Sequence, residues 1–330
     1  MPAVTDSRLD VLAIGDAIVD VIASTDDAFL EEEKLPKGSM RLIDAAEAKR
    51  LYGKMSQARE TSGGSAANTM AGLAAMGGRA GFVGQVARDQ LGEIFSHDIR
   101  ALGVEFETPP RAGEIPTGRC LILVTPDGQR TMNTFAGASH TLSADALDAE
   151  QIRAASILYL EAYLWVPEGP RSAMLEAIGI AHGAGRKVAL TLSDIACIAK
   201  RRDSILGQIE AGAFDLLFAN ENELLALAGE RDFDSAVAAF QDKLPQLVVT
   251  CSEKGAIAVE RGRRVAVAAE RVDKVVDTTG AGDLFAAGFL FGEARGRGLE
   301  ESLSIGARCA AEVISHFGGR PEADLKALIG

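Results

Sequence analysis

The run Asp277-Thr278-Thr279-Gly280-Ala281-Gly282-Asp283 holds the residue types and spacing best suited to chemistry. An apolar, small-residue stretch from Leu284 to Leu290 follows it and predicts a buried helix. Small residues therefore fall on the first turn, where backbone N–H groups lack helical partners and the positive end of the helix dipole points outward. A turn free of bulky side chains can receive an anion. Asp283 adds a carboxylate there, which would repel a phosphate unless it had its own task, such as taking the proton of an attacking hydroxyl. Phosphoryl transfer to an alcohol satisfies both features. The plainer alternative is a Gly-rich helix start in which Asp283 only favours the dipole.

The same segment resembles the C-terminal signature of the ribokinase-like (PfkB) carbohydrate and nucleoside kinases. Asp-Thr-x-Gly-Ala-Gly-Asp, three residues, then Ala287-Gly288 and two apolar positions all agree. The resemblance implies an anion hole formed by Gly280, Ala281 and Gly282, with Asp283 as catalytic base. It implies ATP and Mg²⁺ as cofactors. Asp277 and Thr279, with the Gly318-Gly319 region, resemble the family's monovalent-cation loop, K⁺ being the candidate ion.

Toward the N-terminus, Gly15-Asp16-Ala17-Ile18-Val19-Asp20 resembles the family's first strand and lid entry, where an Asp binds sugar hydroxyls. On one straight strand Asp16 and Asp20 would share a face about 13 Å apart. That separation is too large for both to grip one pair of neighbouring hydroxyls. Asp20 matches the family's sugar-binding Asp, so the diol is assigned to it. Asp16 keeps a lesser substrate role or a strand-end turn. Ser62-Gly63-Gly64-Ser65-Ala66-Ala67-Asn68 resembles the family's Gly-Gly motif, with Met70 where a small residue is usual. Gly63 and Gly64 would let backbone approach a ligand, and Asn68 can donate to and accept from hydroxyls. A Gly-rich turn into a helix is the alternative. Arg130, in a Pro126-Asp127-Gly128 turn region, matches a lid Arg that reaches the transferred phosphate in adenosine kinases, and a solvated turn Arg fits equally.

Asn220 and Glu223 follow an apolar strand and fit the family's Asn-x-x-Glu motif, which organises Mg²⁺ and phosphate, often through water. Positions i and i+3 share a helix face, and a capping box explains the same spacing equally well. Thr250, Ser252 and Gly255 resemble the family's Thr-x-x-x-x-Gly loop beside the nucleotide.

The elements that must position these residues are legible as short apolar runs. Val11–Ile14, Ala80–Gly84, Ile157–Leu160, Val188–Leu192, Phe214–Phe218 and Leu247–Thr250 read as strands. The later ones alternate with helix-length segments, which argues for a mostly parallel sheet covered on both faces. Helices are predicted over Ser65–Met76 and Leu91–Leu102. Residues 117–135 read as an antiparallel hairpin, and Ala256–Val259 with Arg264–Val267 as another. The expectation is one α/β domain over 1–330, a three-layer α/β/α sandwich with a small β-lid from about 16–24, 38–44 and 114–136.

The 330 residues are 47% hydrophobic and 25% charged, a globular composition. The net charge of −13 opposes binding to a nucleic-acid polymer. No apolar stretch reaches membrane-spanning length, and MPAVTDSRLD lacks the regions of a signal peptide. Four scattered cysteines without CxxC spacing read as reduced thiols of a cytoplasmic protein. P-loop, protein-kinase and dinucleotide-binding motifs are absent. The expected function is an ATP-dependent kinase acting on a primary hydroxyl. Adenosine is placed first, because the Arg-bearing hairpin and the Gly15-to-Asp20 segment look more like adenosine kinases. Ribose, inosine or guanosine is the enzymatic alternative, and a nucleoside- or sugar-binding sensor without turnover is the non-enzymatic one. Self-association as a homodimer is the one protein partner considered.

Overall fold

A computed structural model describes residues 8–330. The N-terminal segment read for targeting signals lies outside them as far as Ser7. A nine-stranded sheet forms the centre of the molecule. From one edge it runs Arg263–Val267, Ala256–Glu260, Gln246–Thr250, Leu216–Asn220 and Lys187–Thr191. It continues through Ala155–Glu161, Leu9–Ile14, Ala80–Val83 and Val104–Glu105. The Ala256–Glu260 and Arg263–Val267 hairpin is antiparallel, and the other strands are parallel to one another.

Leu9–Ile14 shows why the apolar runs are continuous rather than alternating. Val11 and Ala13 enter the core on one face of the sheet, while Leu12 and Ile14 enter the core on the other. A strand covered on both faces must be apolar at every position. Helices supply both covers, which gives the expected α/β/α layering.

A second sheet of five strands runs Met40–Leu42, Arg130–Phe135, Gly118–Val124, Ile18–Ser24 and Ala58–Gly63. Ile18–Ser24 alternates buried and half-buried residues, so one face is covered and the other is not. Ala58–Gly63 extends this sheet beyond the segments anticipated for the lid. It was missed because its Arg, Glu, Thr and Ser residues carry no apolar alternation.

Three helices bring the two sheets together. Ser65–Ala75 starts immediately after Ala58–Gly63 and packs on Ala281–Ala294, which in turn packs on Leu299–Val313. Leu284 through Gly292 of the middle helix are all buried. Its first turn is thereby fixed at the junction of the large and small sheets.

Candidate active site

The N-terminus of Ala281–Ala294 opens into a cleft of about 740 Å³. Gly280, the residue before the helix, is left-handed at φ 78° and has no side chain to cap the exposed N–H groups. A Cβ on Gly280 would lie 2.6 Å from Gly319 Cα, whereas a Cβ on Gly282 would meet nothing within 4 Å. Gly280 is thus required by packing, and Gly282 leaves open space. Ala281, Gly282 and Asp283 line the cleft, as do Asn220, Glu223, Thr250, Ser252 and Gly255.

Asp283 is held from both sides by the Ser65 helix. Ser65 Oγ donates to Asp283 Oδ1 at 2.6 Å, and Asn68 Nδ2 donates to Oδ2 at 2.9 Å. Burial raises its pKa, opposed by these two bonds and by the charge of Arg320. Asn68, expected to meet hydroxyls, has its amide nitrogen on the carboxylate.

Asp20 lies on Ile18–Ser24, on the small-sheet side. Burial pushes its pKa up to about 6, with Arg320 and Arg130 pulling it down and Asp283 raising it further. Its neighbour in the next strand explains Gly63. A Cβ there would stand 2.5 Å from the Asp20 carboxyl carbon. Gly64 has φ 98°, and a Cβ on it would meet the Asp16 carbonyl oxygen at 2.2 Å. Both glycines therefore make room for the aspartates.

Asp16 is not on the strand that carries Asp20. It lies in the loop between Leu9–Ile14 and Ile18–Ser24, so the shared-face argument does not apply. Its Oδ1 accepts from Ser139 Oγ at 2.7 Å, and its backbone N–H donates to Glu161 Oε1 at 2.5 Å. Glu161 is fully buried and its Oε2 accepts from Ala66 N–H at 2.7 Å. Burial first, then the charge of Asp16, drives its pKa well above the usual carboxylate range. Sequence reading missed Glu161, although a carboxylate ending an apolar strand was a visible signal. It also missed Ser65, which shares a helix face with Asn68 at i, i+3.

Arg320 gave no signal in the sequence. Its Nη1 donates to the Ala67 carbonyl at 2.8 Å, and its Nη2 donates to the Ser62 carbonyl and hydroxyl at 2.9 Å. Burial lowers its pKa, opposed by Asp20, Asp98 and Asp283. One guanidinium thus offsets part of the acidic charge gathered between the sheets.

At the other end of the cleft, Asn220 and Glu223 form the capping box. Asn220 Oδ1 accepts from Glu223 N–H at 2.9 Å, and Glu223 Oε2 accepts from Asn220 N–H at 3.0 Å. Asn220 Nδ2 also donates to Oε1 at 2.8 Å. The local reading of that spacing is therefore realised, on residues that line the cleft as well. Each Glu223 oxygen accepts one bond and can accept another, so the pair fits an ion reached through water. Among the described residues no group of three or more His, Cys, Asp or Glu side chains could hold a metal directly. No helix among them is long and apolar enough to cross a membrane.

Arg130 and Asp277 are found together. Arg130 Nη2 lies 2.8 Å from Asp277 Oδ2, each side chain being 8% exposed. Arg130, expected to reach the transferred phosphate, is not among the residues of the cleft wall and pairs with this carboxylate. Asp277 Oδ1 accepts from Thr279 N–H at 3.0 Å and Thr279 Oγ1 at 2.8 Å.

Residues 9–325 match the profile of the pfkB family carbohydrate kinases. The chain belongs to that family. A solved adenosine kinase from Sinorhizobium meliloti is 48% identical, with a TM-score of 0.91, and covers 97% of this chain and 98% of its own. A probable sugar kinase from Rhizobium etli CFN 42 is 44% identical, with a TM-score of 0.91, covering 97% of each chain. An ATP-dependent ribose-1-phosphate kinase from Halopiger xanaduensis is 29% identical over 81% of this chain and 85% of its own length. PfkB membership makes the protein a phosphotransferase acting on a hydroxyl of a sugar or nucleoside, with ATP as donor.

Proposed function

We propose that the acceptor is a nucleoside, adenosine first, phosphorylated on its primary hydroxyl. The observation that carries this reading is the placement of Asp283. It lines the cleft, is held by Ser65 and Asn68, and lies close enough to Asp20 to raise that residue's pKa. The 48% identity to an adenosine kinase over nearly the whole chain supports the choice of acceptor.

In this reading Asp20, ionised, accepts hydrogen bonds from the ribose diol. The primary hydroxyl reaches Asp283, which takes its proton as the new O–P bond forms. A loose transition state makes little early demand on the nucleophile, so an aspartate suffices as base. The N–H groups of Gly280 and Gly282 stabilise the charge on the transferring group, beside Ala281, whose N–H donates to the Thr278 carbonyl at 3.2 Å, in a turn whose open side at Gly282 has no Cβ to obstruct it. Asn220 and Glu223 would hold Mg²⁺ through water, and the ion would neutralise phosphate charge. Thr250, Ser252 and Gly255 contribute cleft wall for the nucleotide.

The likeness to a probable sugar kinase at 44% identity favours a second reading, a free sugar as acceptor. A coupled ADP-release assay separates the two. Under one set of conditions kcat/KM for adenosine should exceed the values for ribose, fructose, inosine and guanosine. A higher value for a free sugar rejects the nucleoside reading and leaves the phosphotransferase intact.

A further inference from the structure

Asp277 opens the loop that leads into the anion-accepting turn, and its carboxylate is fully engaged. Oδ1 accepts from the N–H and the hydroxyl of Thr279, at 3.0 and 2.8 Å. Oδ2 accepts from Gly318 N–H at 2.8 Å and pairs with Arg130 Nη2 at 2.8 Å. An ionised carboxylate has about four acceptor sites, and three hydrogen bonds and one ion pair already crowd this one. The residues therefore do not fit the monovalent cation that the family resemblance implies at Asp277. Its acid ligand is occupied by three hydrogen bonds, and its positive partner is already present.

That charge comes from the opposite part of the molecule. Arg130 begins the Arg130–Phe135 strand of the small sheet, while Asp277, Phe317 and Gly318 belong to loops at the ends of the Ala281 and Leu299 helices. The Arg130 guanidinium lies 5.5 Å from the Phe317 ring centroid, a cation–π distance. With the Asp277 side chain only 8% exposed, the pair is screened little by water.

We infer that Arg130 is this enzyme's built-in cation. The guanidinium neutralises Asp277 and sets the loop before Gly280, so turnover needs no K⁺. Because the small sheet carries Arg130, the same contact ties its position to the order of that loop. Arg130 is a positioning residue here, acting on the anion-accepting turn through Asp277. The inference rests on the phosphotransferase reading of the site.

Thermal denaturation and steady-state turnover of the full chain, in KCl and in tetramethylammonium chloride at one ionic strength, test it. Wild-type kcat should agree within a factor of about two between the salts, and the Tm should not differ. Arg130→Met removes the charge and keeps much of the volume. Its Tm should rise in KCl relative to tetramethylammonium, and KCl should restore part of its lost turnover. Arg130→Lys keeps a charge and should stay indifferent to K⁺, which covers the case in which the Met variant fails to fold. A loss of about tenfold or more in wild-type kcat without K⁺ overturns the inference. So does an Arg130→Met protein that folds but whose Tm ignores K⁺. The Tm measurement needs no acceptor, so failure to phosphorylate any substrate would count against the function and not against this reading of Arg130.

Discussion

On its cleft side Asp283 adjoins a turn of glycine and alanine, whereas on its small-sheet side it adjoins carboxylates and an arginine. The cleft side is made receptive by subtraction: Gly280 bends the chain, Gly282 leaves space, and the N–H groups of those two glycines do the rest. The other side is made receptive by addition. Asp20 and Asp283 face Arg320 there, Asp16 and Glu161 are joined beside them, and burial raises the pKa of each carboxylate. A phosphate can be bound by backbone without any charged side chain, but a neutral polyol needs fixed acceptors. That difference explains why one half of the site is written in glycines and the other in aspartates.

The strongest way to break the contrast is to add a side chain where the structure leaves none. Gly282→Val should fold, because its Cβ enters open space, yet lose turnover by about a thousandfold or more. Gly280→Ala should fail differently, losing about 1–3 kcal/mol of stability through its positive φ and the close Gly319 backbone. Circular dichroism melts beside ADP-release rates separate the two; an active Gly282→Val would remove phosphate from this turn.

A smaller effect is expected from Ser65→Ala. Losing a hydrogen bond to a charged group costs about 1.5 kcal/mol, so kcat should fall by about tenfold. Because that bond lowers the Asp283 pKa, the acid limb of the kcat–pH profile should move to higher pH. An unmoved limb would mean that Ser65 only packs.

The smallest effect concerns Asp20. Its pKa is raised from 3.8 to about 6, so its stabilising share in the free protein is complete below 3.8. That share is lost as pH rises through about 6. The Tm difference between wild type and Asp20→Asn should accordingly shrink or reverse as pH rises through that interval. Acceptor binding should run the opposite way, with KM rising a few-fold as pH falls below about 6, since the diol needs the ionised form. A KM indifferent to pH there would take the diol away from Asp20.

Most of the large sheet was legible because burial on both faces forces continuous apolar strands, as in Leu9–Ile14. The signature helix was legible because its small-residue run has one use at a buried start. Ala58–Gly63 escaped because a strand in the small sheet can be polar. Arg320, Ser65 and Glu161 act across 95 or more residues of sequence on Ser62, Asp283 and Ala66, and such pairings exist only once the chain is folded. Likewise the spacing of Asn220 and Glu223 could not separate a cap from an ion site, and the structure builds the cap on the cleft wall.

Asp283 joins the two halves, and its substitution tests the account most directly. Asp283→Asn keeps the shape and the hydrogen bond from Ser65 while removing the base. ATP affinity by calorimetry should stay within a few-fold of wild type, and kcat with adenosine should fall by about 10²–10⁴. A kcat within a few-fold of wild type, with ATP still bound, would contradict proton transfer to Asp283 and the reading of the site built around it.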